Sequence, residues 1–444
     1  LRVGEYEDMS DIETRIRDFM HARGVEVVGI AGPERLDGPP SLDPTYTMPG
    51  ARSIVSFALP MDVGAIYDWF SKKSQAPHEL DQLRMNQRTF RVSRDLADWL
   101  VSQGYRAKEV PANSSYRRHP DVVSTLPSFS HRFGAMAAGI AGQGWSGNVM
   151  TKEHGAAVYL GTVVTDAELA SDPALPPRHF VDEYCAKCKL CARTCVAGMF
   201  EEEGEEQVLL NGELHPRGKR RNIDFCNTSC FGLHALSPDL KWSTWGRGWI
   251  NGWIMNPPDP KQRRRIRAIL VLKSITAGDS APRYDLIRKI TIKLYPEEML
   301  EYVAPEKLPE SESELSRYLL EHAERIVGVI PGLKDPYALT CGNCALVCGP
   351  DIKETAERYR ALVESGIVVP GPDGLMTRVD SFEEALEMRR KYMPKPSLFE
   401  MARDALAMGA IWYGHYFGFE PRSFLAGLAY KAKLKKAVRD AAAV

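Results

Sequence analysis

Seven of the nine cysteines in this 444-residue sequence fall in two short runs. The first, Cys185, Cys188, Cys191 and Cys195, is spaced C-x2-C-x2-C-x3-C. The second, Cys341, Cys344 and Cys348, is spaced C-x2-C-x3-C, with Pro350 close behind. This is the spacing of bacterial iron–sulfur ligation, in which the last cysteine of a run serves the other run's cluster. The pattern assigns Cys185, Cys188, Cys191 and Cys348 to one [4Fe–4S] cluster. Cys195, Cys341 and Cys344 hold the second, completed by Cys226 or Cys230, so one cysteine is spare. A bulky residue follows Cys230 and would shield a cluster, which slightly favours it. Zinc usually takes paired CxxC units rather than such a dense run. A chain of this length has no need of disulfide staples. The chemistry implied is one-electron transfer.

The surrounding sequence must position these thiols. Residues 10–23 predict a helix with Ser10 as N-cap and Glu13 completing a capping box. Ile12, Ile16, Phe19 and Met20 supply its apolar stripe, and Gly24 stops it. Strands are expected at 25–30 and 52–59, separated by a Gly- and Pro-rich loop at 31–50. A long helix is expected over 80–103 and an extended segment over 105–110. This strand–helix–strand rhythm predicts an α/β layer around a mostly buried sheet. Ala156–Val164 is a further buried strand, rich in β-branched residues.

Two stretches between these elements carry candidate chemistry. The loop at 111–130 holds Tyr116, Arg117, Arg118 and His119, which suit either a solvated turn or a phenol and cations facing a pocket. His131 and Arg132 follow, and then small residues run from Gly134 to Gly144, where the backbone can approach a packed helix or a flat cofactor closely.

Together with the cysteine runs, Ala138–Asn148, Thr151–Gly155 and Val158–Asp166 resemble the corrinoid iron–sulfur reductases. These comprise the reductive dehalogenases and the epoxyqueuosine reductases, and the resemblance is closer to the former. It covers about 10–232 and 337–350. It implies an α+β chain: a nitroreductase-like α/β cobalamin-binding domain over 1–175, and a ferredoxin-like domain with two [4Fe–4S] clusters over 176–232 and 337–366. A Trp-rich insertion fills 233–336, and a helical segment 367–444. The cofactor contacts implied are Gly139, Gly142, Gly144, Trp145, Ser146, Gly147, Asn148 and Gly155. The cobalamin's lower ligand is displaced without a replacing histidine, and no Asp-x-His-x-x-Gly segment is found. A tyrosine assisted by a basic residue often donates the proton in this family. Tyr116 with Arg117 or Arg132 is the candidate here, and His131 the alternative acid. Val196 and Gly349 stand where the family often has proline, and neither change removes a ligand.

About 110 residues separate Cys230 from Cys341, far more than the family usually allows. Within them Trp242, Trp245, Trp249 and Trp253 could line an apolar pocket, form a small core or face a partner. Residues 260–275 pair a basic with an apolar run, which suits a solvated helix face better than nucleic-acid binding. Helices are expected at 312–328 and 352–366. The aromatic segment 408–419 packs in a core by default; capping the pocket, binding a partner and touching a membrane beside Lys431, Lys433, Lys435 and Lys436 stay open.

A net charge of −1 supplies no general attraction to nucleic acid or anionic membrane. No apolar run reaches the length of a membrane span. The chain starts at Leu1 with no signal-like n- or h-region, which leaves open a cytoplasmic site or export with the signal removed. The leading function is reductive dehalogenation of a small organohalide, fed by a ferredoxin, flavodoxin or membrane-bound donor, with a homodimer allowed. Epoxyqueuosine reduction and a non-catalytic two-cluster electron carrier are the alternatives.

Overall fold

The computed structural model describes residues 11–110, 127–174, 185–220, 226, 229, 235–246, 341–372, 376–392 and 421–442. Tyr116, Arg117, Arg118, His119, Cys230, Trp249, Trp253 and the segments 260–275, 312–328 and 408–419 lie outside the described residues.

The chain opens with α1 (Ile12–His21). Its N-cap is Asp11, whose Oδ1 accepts the Thr14 N–H at 2.8 Å. This corrects the expected Ser10–Glu13 box. The Glu13 carboxylate accepts the Ala170 N–H at 2.6 Å, so it ties the helix to a distant loop. Next come β1 (Val27–Ala31), β2 (Ser53–Pro60), α2 (Val63–Phe70), α3 (Ala76–Ser102) and β3 (Ala107–Glu109). They are followed by α4 (His131–Ala137), β4 (Gly142–Gln143), β5 (Val149–Met150) and β6 (Val158–Thr165).

Strands β1, β2, β6 and β3, in that order, form one sheet in which every neighbouring pair is antiparallel. The sheet is mostly buried, as the β-branched runs require, but among the described residues it contains no parallel crossover. The strand–helix–strand rhythm hid this because β1 reaches β2 through a loop and β3 pairs with β6. Side chains alternate across the sheet. Val55, Phe57, Leu59 and Val163 meet Ile16, Met20, Leu96 and Leu100 of α1 and α3. Ile54 and Val164 face the other way, onto Ala135 and Met136 of α4. Each fully buried large side chain here contributes roughly 1.5–3 kcal/mol by leaving water.

A second body of structure surrounds the cysteines. It comprises α5 (Leu190–Arg193), the hairpin β7 (Phe200–Leu210) and β8 (Glu213–Arg220), α6 (Asn343–Leu346) and α7 (Ile352–Val363). A small antiparallel pair, β9 (Ile367–Pro370) and β10 (Met376–Val379), follows, and then α8 (Phe382–Tyr392). Its core joins Trp69 and Phe70 of α2 to Trp145, Val196, Trp242, Trp245, Leu346 and Val347. Trp245 Nε1 donates to Trp69 O at 2.8 Å and the two rings lie 5.5 Å apart, so the described part of the Trp-rich segment is core. Finally α9 (Pro421–Ala442) docks on β7 and the 37–46 loop: Tyr430 Oη accepts the Leu209 N–H at 3.0 Å, and Lys433 pairs with Asp37 at 2.9 Å. Among the described residues no helix is long and apolar enough to cross a membrane.

Candidate metal centre

The two cysteine runs fold as copies of one local motif. In the first, Lys189 takes the left-handed conformation (φ 57°) immediately after Cys188; in the second, Gly342 does the same (φ 61°) after Cys341. A single helical turn follows each, carrying Cys191 or Cys344. The Cys195 N–H then bonds Ala192 O at 3.0 Å, and the Cys348 N–H bonds Ala345 O at 3.1 Å. A side chain in left-handed backbone costs roughly 1–2 kcal/mol, which glycine avoids. Lys189 bears that cost at the entry to the ligand turn. The copies are stitched together by Asn343 Nδ2, which donates to Thr194 O at 3.4 Å.

This folding brings Cys185, Cys188, Cys191 and Cys348 to the wall of one pocket, which opens to solvent. Trp145, Met150 and Val347 supply apolar lining and Asp351 stands at its edge. The thiols feel one another strongly. Burial, then the neighbouring Cys348, Cys344, Cys185 and Cys188, push the Cys191 thiol far above its ordinary value. Burial first, then Cys185 and Cys188, push Cys348 up to about 12, against the opposing charge of Arg358. Burial also raises Cys185, against N–H bonds from Trp145 and Lys187. Such thiols stay protonated in an apolar pocket unless a cation meets them, and iron is a cation of the right softness. Cys195, Cys226 and Cys344 pack on the same core. Among the described residues no three Cys, His, Asp or Glu side chains are grouped to hold a single ion. Ligands around a multi-iron cluster stand farther apart than ligands of one ion.

The glycine-rich stretch lies against these thiols. The Trp145 N–H donates to Cys185 Sγ at 3.3 Å, and Asn148 Nδ2 donates to Cys344 Sγ at 3.2 Å. The Met199 N–H donates to Cys195 Sγ at 3.4 Å. The stretch is held as a tight turn by the Gly144 N–H to Asn148 O at 2.9 Å and the Gly147 N–H to Gly144 O at 2.8 Å. The space a side chain would need at several of these glycines is filled by the protein itself. At Gly139 it holds the Pro173 carbonyl, at Gly144 Met150, at Gly147 Arg220, and at Gly155 the carbonyls of Cys348 and Gly349. Gly142 sits in β4, paired with Met150 of β5. Ser146 Oγ accepts from the Asn148 N–H and Nδ2, both at 3.2 Å, and Ser146 O accepts from Arg220 at 2.8 Å.

His131 is partly buried in α4, its Nδ1 2.9 Å from Thr162 Oγ1 and its buried Nε2 without a partner among the described residues. Burial pushes its pKa down to about 4, so at neutral pH the ring is neutral. Arg132 is exposed and reaches Gly147 O at 3.4 Å and Asn148 Oδ1 at 3.5 Å. Burial, with Arg217 and Arg132 nearby, lowers Arg220 to about 10. Arg217 and Arg220, which β8 brings beside Gly147, were not singled out from sequence. The signal was available: Asn211-Gly212 is the strongest short hairpin marker, and both residues here take positive φ.

No family model matches the sequence. A 109-residue stretch is 38% identical to a tetrachloroethene reductive dehalogenase of Desulfitobacterium hafniense, covering 23% of this chain and 19% of that protein. The chain therefore spans about a fifth of the length of this curated relative. A solved reductive dehalogenase, whose structure is described as suggesting a mechanism for B12-dependent dehalogenation, aligns over 66% of this chain and 39% of its own, with 14% identity and TM-score 0.37. Epoxyqueuosine reductase from Bacillus subtilis aligns over 79% of this chain and 97% of its own, with 16% identity and TM-score 0.34. The sequence likeness to a reductive dehalogenase is thus confined to that one 109-residue stretch.

Proposed function

We propose that this chain is an oxidoreductase that carries electrons through two [4Fe–4S] clusters to a corrinoid, for reductive dehalogenation of a small organohalide. The observation that carries the proposal is the convergence of Cys185, Cys188, Cys191 and Cys348 on one pocket. Thiols from two runs, 157 or more residues apart in sequence, line one pocket, as a soft cation held between the runs would require. The same division leaves Cys195, Cys341 and Cys344 for the second cluster, and Cys226, packed on the shared core, is the described candidate to complete it. The ferredoxin-like unit would be the repeated ligand turns, and the nitroreductase-like unit the α1–β6 layer.

When bound, the clusters supply one-electron transfer and the corrinoid a strongly reducing cobalt centre. The chain's own groups do the rest. Trp145, Met199 and Asn148 present N–H donors to cysteine sulfur. Trp145, Met150 and Val347 give the thiol pocket its apolar lining. A corrinoid would find donors in the exposed Arg132 and in Arg220 Nε, which has no partner among the described residues. Tyr116 with Arg117 or Arg132 is retained as the proton source. His131 is the weaker alternative, because its ring is already neutral at neutral pH.

One observation favours a second reading, an electron carrier with two clusters and no corrinoid. The side-chain space at Gly139, Gly144, Gly147 and Gly155 is occupied by protein atoms, so packing by itself is enough to require these glycines. Anaerobic purification after corrinoid-replete expression separates the two. A bound corrinoid absorption band, with halide released from organohalides under a reduced viologen, supports the enzyme. Clusters without a corrinoid band contradict it and leave the carrier. Turnover of epoxyqueuosine transfer RNA instead of organohalides would move the substrate assignment.

A further inference from the structure

We propose that Asn148 sets the reduction potential of the site built on Cys344, and that Arg132 is the positioning residue that aims it. The inference rests on the cluster reading above and goes beyond it by naming what distinguishes one site from the other. Asn148 Nδ2, a side-chain donor, lies 3.2 Å from Cys344 Sγ, whereas the Trp145 and Met199 donors to Cys185 and Cys195 are backbone N–H groups. A hydrogen bond to ligand sulfur favours the more negative, reduced state and raises the potential. A backbone donor comes with the fold, whereas a side-chain donor can be tuned by one substitution.

The amide must also point the right way round, because an Asn offers a carbonyl or an NH2 group to the same place. Arg132 decides this. A guanidinium has only donors, and Arg132 reaches Asn148 Oδ1 at 3.5 Å while also holding Gly147 O at 3.4 Å. That leaves the NH2 group for Cys344, with Ser146 Oγ accepting it at 3.2 Å on the way. The residues that the sequence pattern associates with a cofactor contact and with proton donation are thereby joined in one relay that ends on a cysteine sulfur.

The test is a redox titration with dithionite of the anaerobically purified, cluster-loaded chain, followed by electron paramagnetic resonance, for the wild type, Asn148→Ala, Asn148→Ser and Arg132→Leu. Asn148→Ala should lower the midpoint of one cluster about tenfold in its reduction equilibrium, about 59 mV for a one-electron couple, and leave the other in place. Asn148→Ser, which keeps a hydroxyl donor, should restore part of the shift. Arg132→Leu should move the same cluster the same way by less. Unchanged midpoints in Asn148→Ala, or an equal shift of both clusters, overturn the proposal. If Asn148→Ala loses iron, Arg132→Leu decides: a shift confined to one cluster supports it and none overturns it. A wild-type chain that binds no iron contradicts the cluster reading itself, whereas wild-type clusters with unmoved variants contradict only this inference.

Discussion

Gly155 is where a single methyl group should reach the metal centre. Its backbone is left-handed, with φ 60°. A Cβ there would run into the carbonyls of Cys348 and Gly349, which are backbone and cannot swing aside. The neighbouring Ala156 N–H bonds Cys348 O at 3.0 Å, so the strand entering β6 and the last thiol of the second run are fixed to each other. Gly155→Ala incurs roughly 1–2 kcal/mol for left-handed backbone and typically about 1–3 kcal/mol for overpacking. The total is on the order of 2–5 kcal/mol, and it falls on the segment carrying Cys348. Gly198→Ala is the matched control: φ is 58° and nothing lies within 4 Å of the added Cβ, so it bears the backbone cost alone. Denaturant midpoints and iron content of the two variants should diverge, with Gly155→Ala losing both stability and part of its iron while Gly198→Ala keeps its iron. Equal midpoints and full iron in both would refute the claim that Gly155 clamps the cysteine run.

Other consequences follow from the same geometry. Trp245→Ala should cost about 3–5 kcal/mol in unfolding free energy, because its ring packs on Trp69 and its Nε1 is bonded there; Trp245→Phe should cost clearly less, and equal costs would deny the hydrogen bond a role. His131 and His215 are each pushed down to about 4 by burial, below the ordinary 6.5. The unfolded chain therefore binds protons that the folded chain refuses between about pH 6.5 and 4, so this stability is complete above that window and is lost on acidification through it. Each contributes up to on the order of 3 kcal/mol; His131→Gln should flatten the dependence of unfolding free energy on pH there, and an unchanged slope would contradict a buried neutral ring. Gly342→Lys, which gives the second run the residue that Lys189 supplies to the first, should cost only about 1–2 kcal/mol and keep its iron.

The cysteine spacing made the candidate centre legible because ligand turns are local: residue order alone fixes which thiols share a helical turn. The α1 stripe and the apolar strands were legible for the same reason. Strand direction was not, since β3 finds β6 rather than a sequence neighbour and no local pattern encodes that. The role of Trp145–Asn148 was also hidden. Small residues announce a close approach without saying to what, and here the partners are Met150, Arg220 and the cysteine sulfurs. The β7–β8 hairpin went unread although Asn211-Gly212 marked it, because the acidic run at 201–206 looks like loop until its pairing with 217–220 is known.

The central claim is that these thiols hold two [4Fe–4S] clusters. Iron and acid-labile sulfide, counted on anaerobically prepared wild-type protein alongside its low-temperature electron paramagnetic resonance spectrum after reduction, test it most directly. The account predicts about eight of each per chain, with signals from two interacting reduced clusters. One or two zinc ions with no sulfide, or iron for a single cluster only, would contradict it.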